Sequence, residues 1–389
     1  MPETTPTPAN AHLKFPSVST HLASRRSSND YQGLGLPFPH PSTDCIMDLT
    51  YYFGPEAVNK IVSSGKFIFH MTGDTGVGSN EQKNVAEAMA RDINNTNHEL
   101  GPSCLILLGD IIYGSNKEAG YADKFYRIYD HYDRLIFAIP GNHDGEELLP
   151  TDPTTLNAFE ANFCTPPESQ PPLATEFGVL MPNQPGPHWH LKAPFVDILG
   201  LYSNSEENVG IISNHYIGHK QKIWLHSRLA AIAAARANGP RNALIIAVHH
   251  PPFARGFHSS GPGYPGSPEM LADIDSCCTD ANILPDAVIS AHTHNYQHYV
   301  RTQILNGKEC TIPYLIVGTG GIGLQTVPAP TIVHDSTGTV FYRSAFKDYG
   351  YLTVTATAKL LIIQFNALVG IHRELREQIT IDLATHKII

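Results

Sequence analysis

Positive charge is scarce in this sequence. Lys and Arg number 26 among 389 residues, against 36 Asp and Glu, for a formal net charge of −10. That balance excludes the basic footprint of a nucleic-acid-binding protein. Charged residues of both signs make up only 16%, below the ~25% usual for soluble domains. Cysteine is sparse as well: Cys45, Cys104, Cys164, Cys277, Cys278 and Cys310, with no CxxC pair. This excludes a zinc ribbon and fits a reducing compartment. No apolar run approaches the ~18 residues of a transmembrane helix. The segment up to Asp30 has no apolar core of a secretory signal, and no hydrophobic stretch follows Arg25–Arg26, so neither a Sec nor a twin-arginine signal is read. A cytoplasmic location is the expectation, with a secreted or periplasmic one as the alternative.

What is present is an ordinary apolar fraction, 42%, and a large number of histidines, 21. Residues 1–45 are rich in Pro, Ser, Thr and Asn and read as a disordered or surface-draped arm. Residues 46–389 read as one domain, long enough for a large core without staples. Six short apolar runs organise it: Phe67–Phe69, Leu105–Leu108, Leu135–Ile139, Leu244–Val248, Ala287–Ile289 and Tyr314–Val317. Continuous runs of this length read as strands buried on both faces. Residues 80–93 space Val85, Met89 and Ile93 four apart, and residues 220–237 place Trp224, Leu225, Leu229 and Ile232 on one face. Both are amphipathic helices able to cover a sheet. Hairpins are expected over 189–202 and 349–366. The proline-rich stretch 145–187 reads as a long irregular loop on the rim of a site. Alternating strands and helices make this an α/β chain.

Five of the six runs end in side chains that bind cations. They lead into Asp74, Asp110 and Tyr113, Asn142 and His143, His249, and His292 with His294. Open α/β sheets bind ligands outside the carboxyl ends of their strands. Singly these residues are weak markers, because Gly109-Asp110 is a common turn and a tyrosine near a strand end is usually packed. Together, two aspartates, an asparagine, a tyrosine and three histidines suit a pair of hard or borderline cations. Two such ions ~3.5–4 Å apart clamp a phosphate and make a bound water nucleophilic. The loop Gly318-Thr319-Gly320-Gly321 lacks the Lys-Ser/Thr of a P-loop and is expected to allow close backbone packing beside the cations.

The motifs Gly73-Asp74-Thr75-Gly76, Gly109-Asp110-Ile111-Ile112-Tyr113, Gly141-Asn142-His143-Asp144, His249-His250-Pro251 and His292-Thr293-His294 occur in that order. In this the chain resembles the calcineurin-like metallophosphoesterases, and within them the purple acid phosphatases, over roughly residues 66–366. Most of that superfamily has a histidine where Gly76 stands. The purple acid phosphatases replace it with a tyrosine at the position of Tyr113.

The resemblance implies a four-layer αββα sandwich of two mixed sheets. It implies hydrolysis of phosphomonoesters at a dinuclear centre, with a metal-bound hydroxide as nucleophile. Asp74, Tyr113 and His294 would hold Fe(III), and Asn142, His249 and His292 would hold Fe(II), Zn(II) or Mn(II), with Asp110 as the bridge. His143 would protonate the leaving group, with Asp144 orienting its ring. His258, Arg255 and His298 are candidates for contact with the phosphate. Two positions depart from the pattern: Ala291 replaces the usual glycine, and His298 stands where many relatives have arginine. The expected partner is a small phosphate ester, with no nucleic acid and no membrane, and the oligomeric state is left open. Phosphodiester hydrolysis (of cyclic nucleotides or glycerophosphodiesters) and a silent binding role on the same fold are the alternatives.

Overall fold

The structure is a computed structural model that describes residues 44–95, 101–114, 117–146, 156–165, 170–205, 209–215, 217–258, 261–262, 266–330 and 339–389. The expected arm falls outside these residues except for Asp44 and Cys45. Two mixed sheets dominate the described chain. The first runs, in spatial order, β1 (Ile46–Asp48), β5 (Trp189–Ala193), β6 (Val196–Leu201), β7 (Ala243–Val248), β10 (Ala287–Ser290), β12 (Lys308–Val317), β11 (Tyr296–Leu305) and β13 (Val340–Phe346). The second runs β17 (Lys387–Ile388), β16 (His372–Asp382), β15 (Leu360–Val369), β14 (Gly350–Thr357), β2 (Lys66–Thr72), β3 (Cys104–Leu107) and β4 (Leu135–Ala138). A separate two-stranded ribbon pairs β8 (Phe257–His258) with β9 (Gly261–Pro262).

The apolar runs are continuous because each strand lies between two cores. Phe67, Phe69, Met71, Ile106, Phe137, Ile245, Ala247 and Ile289 fill the space between the sheets. Their neighbours Leu105, Leu107, Ile136 and Ala138 face outward against Val85, Met89 and Ile93 of α2 (Asn80–Asn95). On the other sheet Leu244, Ile246, Val248 and Val288 meet Leu225, Leu229 and Ile232 of α8 (Lys220–Asn238) and Met270 and Ile274 of α9 (Pro268–Asp280). The order helix, sheet, sheet, helix is the expected αββα sandwich.

Both expected helices and both hairpins form. β5 and β6 pair antiparallel from Trp189↔Gly200 to Ala193↔Val196, and β14 and β15 pair from Gly350↔Ala367 to Ala356↔Leu361.

The segment 145–187 departs from the expected irregular loop. It contains α6 (Asn157–Phe163) and α7 (Pro172–Phe177). Leu156, Ala158, Phe159, Phe163 and Ala174 are buried in the core beside β3 and β4. Pro172 occupies the first helical position, where a missing N–H costs nothing, so proline there starts a helix instead of preventing one. Residues 147–155 and 166–169 of this segment lie outside the described residues. Among the described residues no helix is long and apolar enough to cross a membrane.

Within each sheet a parallel set positions the site. β2, β3 and β4 are parallel, and so are β6, β7, β10 and β12. The carboxyl ends of both sets meet at one end of the sandwich. Every side chain named below as a candidate ligand hangs from one of those ends.

Candidate metal centre

The backbone is forced into unusual conformations where these strands end. Asp74, Asp110 and His292 have φ of 58°, 55° and 67°. Non-glycine residues rarely adopt this left-handed region, and when they do the cost clusters at functional sites. Each residue turns its side chain back across the strand ends. Backbone bonds hold the turns: Asp74 N donates to Gly109 O at 3.1 Å, Gly76 N to Asp110 O at 3.1 Å, and Tyr113 N to Gly76 O at 3.0 Å. At Gly76 a Cβ would lie 2.0 Å from Ile111 O, so no larger side chain fits without displacing the Asp110 turn.

Two groups of side chains converge around Asp110. In the first, the Tyr113 hydroxyl donates to Asp74 Oδ1 at 3.0 Å and lies 3.4 Å from His294 Nε2, which is itself 3.8 Å from Asp74 Oδ1. In the second, Asn142 Oδ1 is 3.0 Å from both His249 Nε2 and His292 Nδ1, and those two nitrogens are 3.3 Å apart. Asp110 Oδ2 lies 3.3 Å from His249 Nε2, and Asp110 Oδ1 accepts from His143 N at 3.0 Å. Asp110, His249 and His292 alone bring three ligand atoms within 4.8 Å of one another. The seven side chains expected to hold cations thus lie in two adjoining groups.

The chemistry of these atoms fits a cation. His249 Nδ1 lies 2.8 Å from Leu108 O, and a carbonyl only accepts, so Nδ1 carries the proton. In the neutral ring Nε2 is then a lone pair aimed at the oxygens of Asn142 and Asp110. Acceptors facing acceptors in a buried space are unfavourable unless a proton or a metal lies between them. Asp74 Oδ2 is buried with no hydrogen-bond partner among the described residues.

The acid–base balance shows the same conflict. Burial, opposed by the charge of His249 and reinforced by that of Asp110, pushes Asp74 up to about 7. Burial also works against ionised Asp110, yet the charges of His249 and His143 and their hydrogen bonds hold it well below the usual carboxylate range. Burial alone would lower His249. The charge and hydrogen bond of Asp110 outweigh it and raise the ring to about 9. Without metal, a proton on His249 takes the place of the cation.

His143 stands at the edge of this cluster, its ring 4.5 Å from that of Tyr113. Its orienting carboxylate is not Asp144, as expected, but Glu146, whose Oε1 is 2.8 Å from His143 Nδ1. Asp144 instead accepts from the backbone N–H groups of Gly141, Ile111 and Ile112 at 2.8 to 3.1 Å, locking the Asp110 turn to the Asn142 turn. The helical turn Asn142–Gly145 (α5) sets this geometry: Glu146, three residues after His143, comes back beneath its ring. That spacing was visible in the sequence.

Of the three expected phosphate contacts, two have described side chains, and they lie in different surroundings. Arg255 lies with its guanidinium 6.0 Å from the Tyr342 ring centroid, its backbone clasped by the Gln297 side chain at 2.9 and 3.0 Å. His298 is buried, with Nδ1 3.0 Å from Glu377 Oε1, and Tyr296 and Ser344 donate to the other oxygen, Oε2. It belongs to that inter-sheet network and is not gathered with the ligands. His258 falls on β8, and its side chain lies outside the described residues. The glycine loop after β12 packs as expected: Gly320 N donates to Gly73 O and Ile322 N to Asp74 O, at 2.9 and 3.0 Å.

The calcineurin-like phosphoesterase family matches this chain over residues 67–296, a span that holds all seven converging side chains. The chain belongs to the calcineurin-like phosphoesterase family. No curated protein sequence matches this phosphoesterase. Among solved structures it is similar to GAP50, the anchor in the inner membrane complex of Plasmodium, at 14% identity with a TM-score of 0.53, over 80% of this chain and 87% of that one. It is also similar to PhoD, at 13% identity with a TM-score of 0.48, over 82% of this chain and 71% of that one. At 14% identity the likeness to GAP50 is one of fold. Family membership implies metal-dependent hydrolysis of phosphoesters.

Proposed function

We propose that this phosphoesterase hydrolyses phosphomonoesters at a dinuclear centre of the purple acid phosphatase kind. The observation that carries the reading is the meeting of two ligand groups at Asp110, with lone pairs facing one another across a buried gap. Asp74, Tyr113 and His294 would hold one cation, Asn142, His249 and His292 the other, and Asp110 would touch both. When bound, the pair supplies positive charge for the phosphoryl oxygens and activates a water. A phenolate at Tyr113 is a hard, anionic donor and favours Fe(III) at the first position. Burial and the charges of Asp110 and Asp74 raise the Tyr113 hydroxyl well above its ordinary value, so the phenolate forms only with a cation present.

The protein's own proton donor is His143. Glu146 accepts from Nδ1 at 2.8 Å and fixes the ring, so that Nε2 would face the leaving oxygen. The ring is only partly exposed, 23% for the side chain, which allows a small ester to reach it.

The test is metal analysis with a visible spectrum, followed by assay of a nitrophenyl monoester against a bis-nitrophenyl diester. The reading expects iron, a colour lost in Tyr113→Phe, and preference for the monoester. A colourless protein with full iron overturns the tyrosine assignment. Preference for the diester replaces the substrate class, and no hydrolysis of either ester by metal-loaded protein supports the silent binding role.

A further inference from the structure

One feature at the strand ends has no part in the ligand set. Ser203 follows β6, whose Leu201 is in register with Val248 of β7, so the first residues past each strand lie side by side. Ser203 and His250 are both wholly buried. Ser203 Oγ accepts from His250 N at 3.1 Å and lies 2.7 Å from His250 Nδ1. A serine hydroxyl is one donor with two acceptor lone pairs, so Ser203 Oγ can serve the backbone N–H and Nδ1 together and fixes the ring in either tautomer. Gly210 closes the pocket from the other side: a Cβ there would lie 2.5 Å from His250 Cβ and 3.0 Å from Ser203 Cβ. Gly210 N is held in turn by Ser267 Oγ at 2.9 Å.

The ring so fixed lies against a candidate ligand. The centroids of His250 and His292 are 4.1 Å apart with planes tilted by 42°. His250 also meets His249 edge-on at 5.3 Å.

We infer that Ser203 and His250 form a positioning pair that holds the His292 ring in its ligating orientation and so sets the affinity of the second cation site. The inference rests on the proposed dinuclear reading. A hydrogen-bonded residue behind a ligand fixes the orientation of the donor, and its loss typically costs roughly 10- to 100-fold in metal affinity. The cost falls on the second site, since the two rings His250 packs against, His292 and His249, both belong to it.

The test is titration of metal-free full-length protein with Mn(II) or Zn(II) against a competing chelator, for wild type, Ser203→Ala, Ser203→Thr and His250→Gln. Expected is a two-step isotherm for wild type. In Ser203→Ala and His250→Gln the weaker or stronger step that Asn142→Ala identifies as the second site should fall roughly tenfold or more, with the other step unmoved. Ser203→Thr keeps the hydroxyl and restores wild-type binding. If His250→Gln fails to fold, Ser203→Ala carries the test. Wild-type affinities for both steps in folded Ser203→Ala overturn the positioning role. So does an equal loss at both steps, which marks a general structural part. A wild type that takes up no cation overturns the dinuclear reading itself, and the positioning role with it.

Discussion

Strand β10 has a buried polar cluster at each end, and the two are opposite in kind. At its amino end Asp286 is wholly buried and fully partnered. Arg236 donates to it at 2.9 Å, Arg241 at 2.7 Å and Leu244 N at 2.8 Å, and His386 Nε2 lies 3.4 Å away. At its carboxyl end His292 joins a group in which donors are missing: Asp74 Oδ2 has none among the described residues, and His249 Nε2 faces oxygens. In the first cluster the protein alone satisfies the carboxylate, and the buried atoms left over, Arg236 Nε and Arg241 Nη1, are donors. The second is completed by something the chain does not supply. Burial of a carboxylate therefore marks a functional site only when its hydrogen bonds are counted.

The largest test of this contrast is Asp110→Asn. It should lower kcat/KM for a nitrophenyl monoester by about a thousandfold, since several kcal/mol of charge stabilisation are lost. Its circular dichroism should match wild type. Comparable activity in the variant would break the assignment of Asp110 as the shared ligand.

Next in size is a pair of stability measurements on metal-free protein at pH 8. Asp286→Asn should cost about 3–5 kcal/mol by denaturant unfolding, because it leaves two arginines facing a neutral group. Asp74→Asn should cost nothing or stabilise, because it removes a buried anion held up at about 7. Equal losses in both would mean that the two ends of β10 are alike.

Smaller effects are expected at the rim. His143→Ala should reduce turnover of an alkyl phosphate about a hundredfold, and far less with nitrophenyl phosphate, whose leaving group needs little help from an acid. Glu146→Gln should do the same to a lesser degree and move the alkaline limb of the pH–rate profile to lower pH, since it removes the anion beside His143. The same loss on both esters would assign these residues to binding instead.

A further effect is a trend with pH. Asp74 and His249 both have raised values in the folded protein, about 7 and about 9. A raised group stabilises fully below its unfolded value, about 3.9 for Asp and about 6.5 for His, and loses that contribution as pH rises through the folded value. Chelator-treated protein should therefore melt at progressively lower temperature from about pH 5 to about pH 9. Added Mn(II) or Zn(II) should weaken or reverse the trend, because ligands must lose protons to bind. A flat profile in the metal-free state would contradict the acceptor-rich geometry.

Much of this was legible in the sequence, for definite reasons. Strands buried on both faces must be apolar throughout, so β2, β3, β4, β7 and β10 stood out, and the side chains that follow them are the ones that converge. The amphipathic faces of α2 and α8 were visible through Val85, Met89, Ile93, Leu225 and Leu229. Elements without such patterns were missed. The helix Leu49–Ser64 (α1) is interrupted at Gly54, whose φ and ψ are not helical, just before Pro55. The first half of β16, His372 to Arg376, is exposed and charged and shows no alternation. Glu146, Ser203 and His250 act through other side chains, which only the fold brings near. Asp144 was assigned to the wrong neighbour because adjacency in sequence is not adjacency on a helical turn.

The most direct measurement is anomalous X-ray scattering from a crystal of the protein loaded with Mn(II) or Zn(II). Two peaks should flank Asp110, one against Asp74, Tyr113 and His294 and the other against Asn142, His249 and His292. A saturated crystal with no anomalous density between those side chains would contradict the dinuclear centre outright.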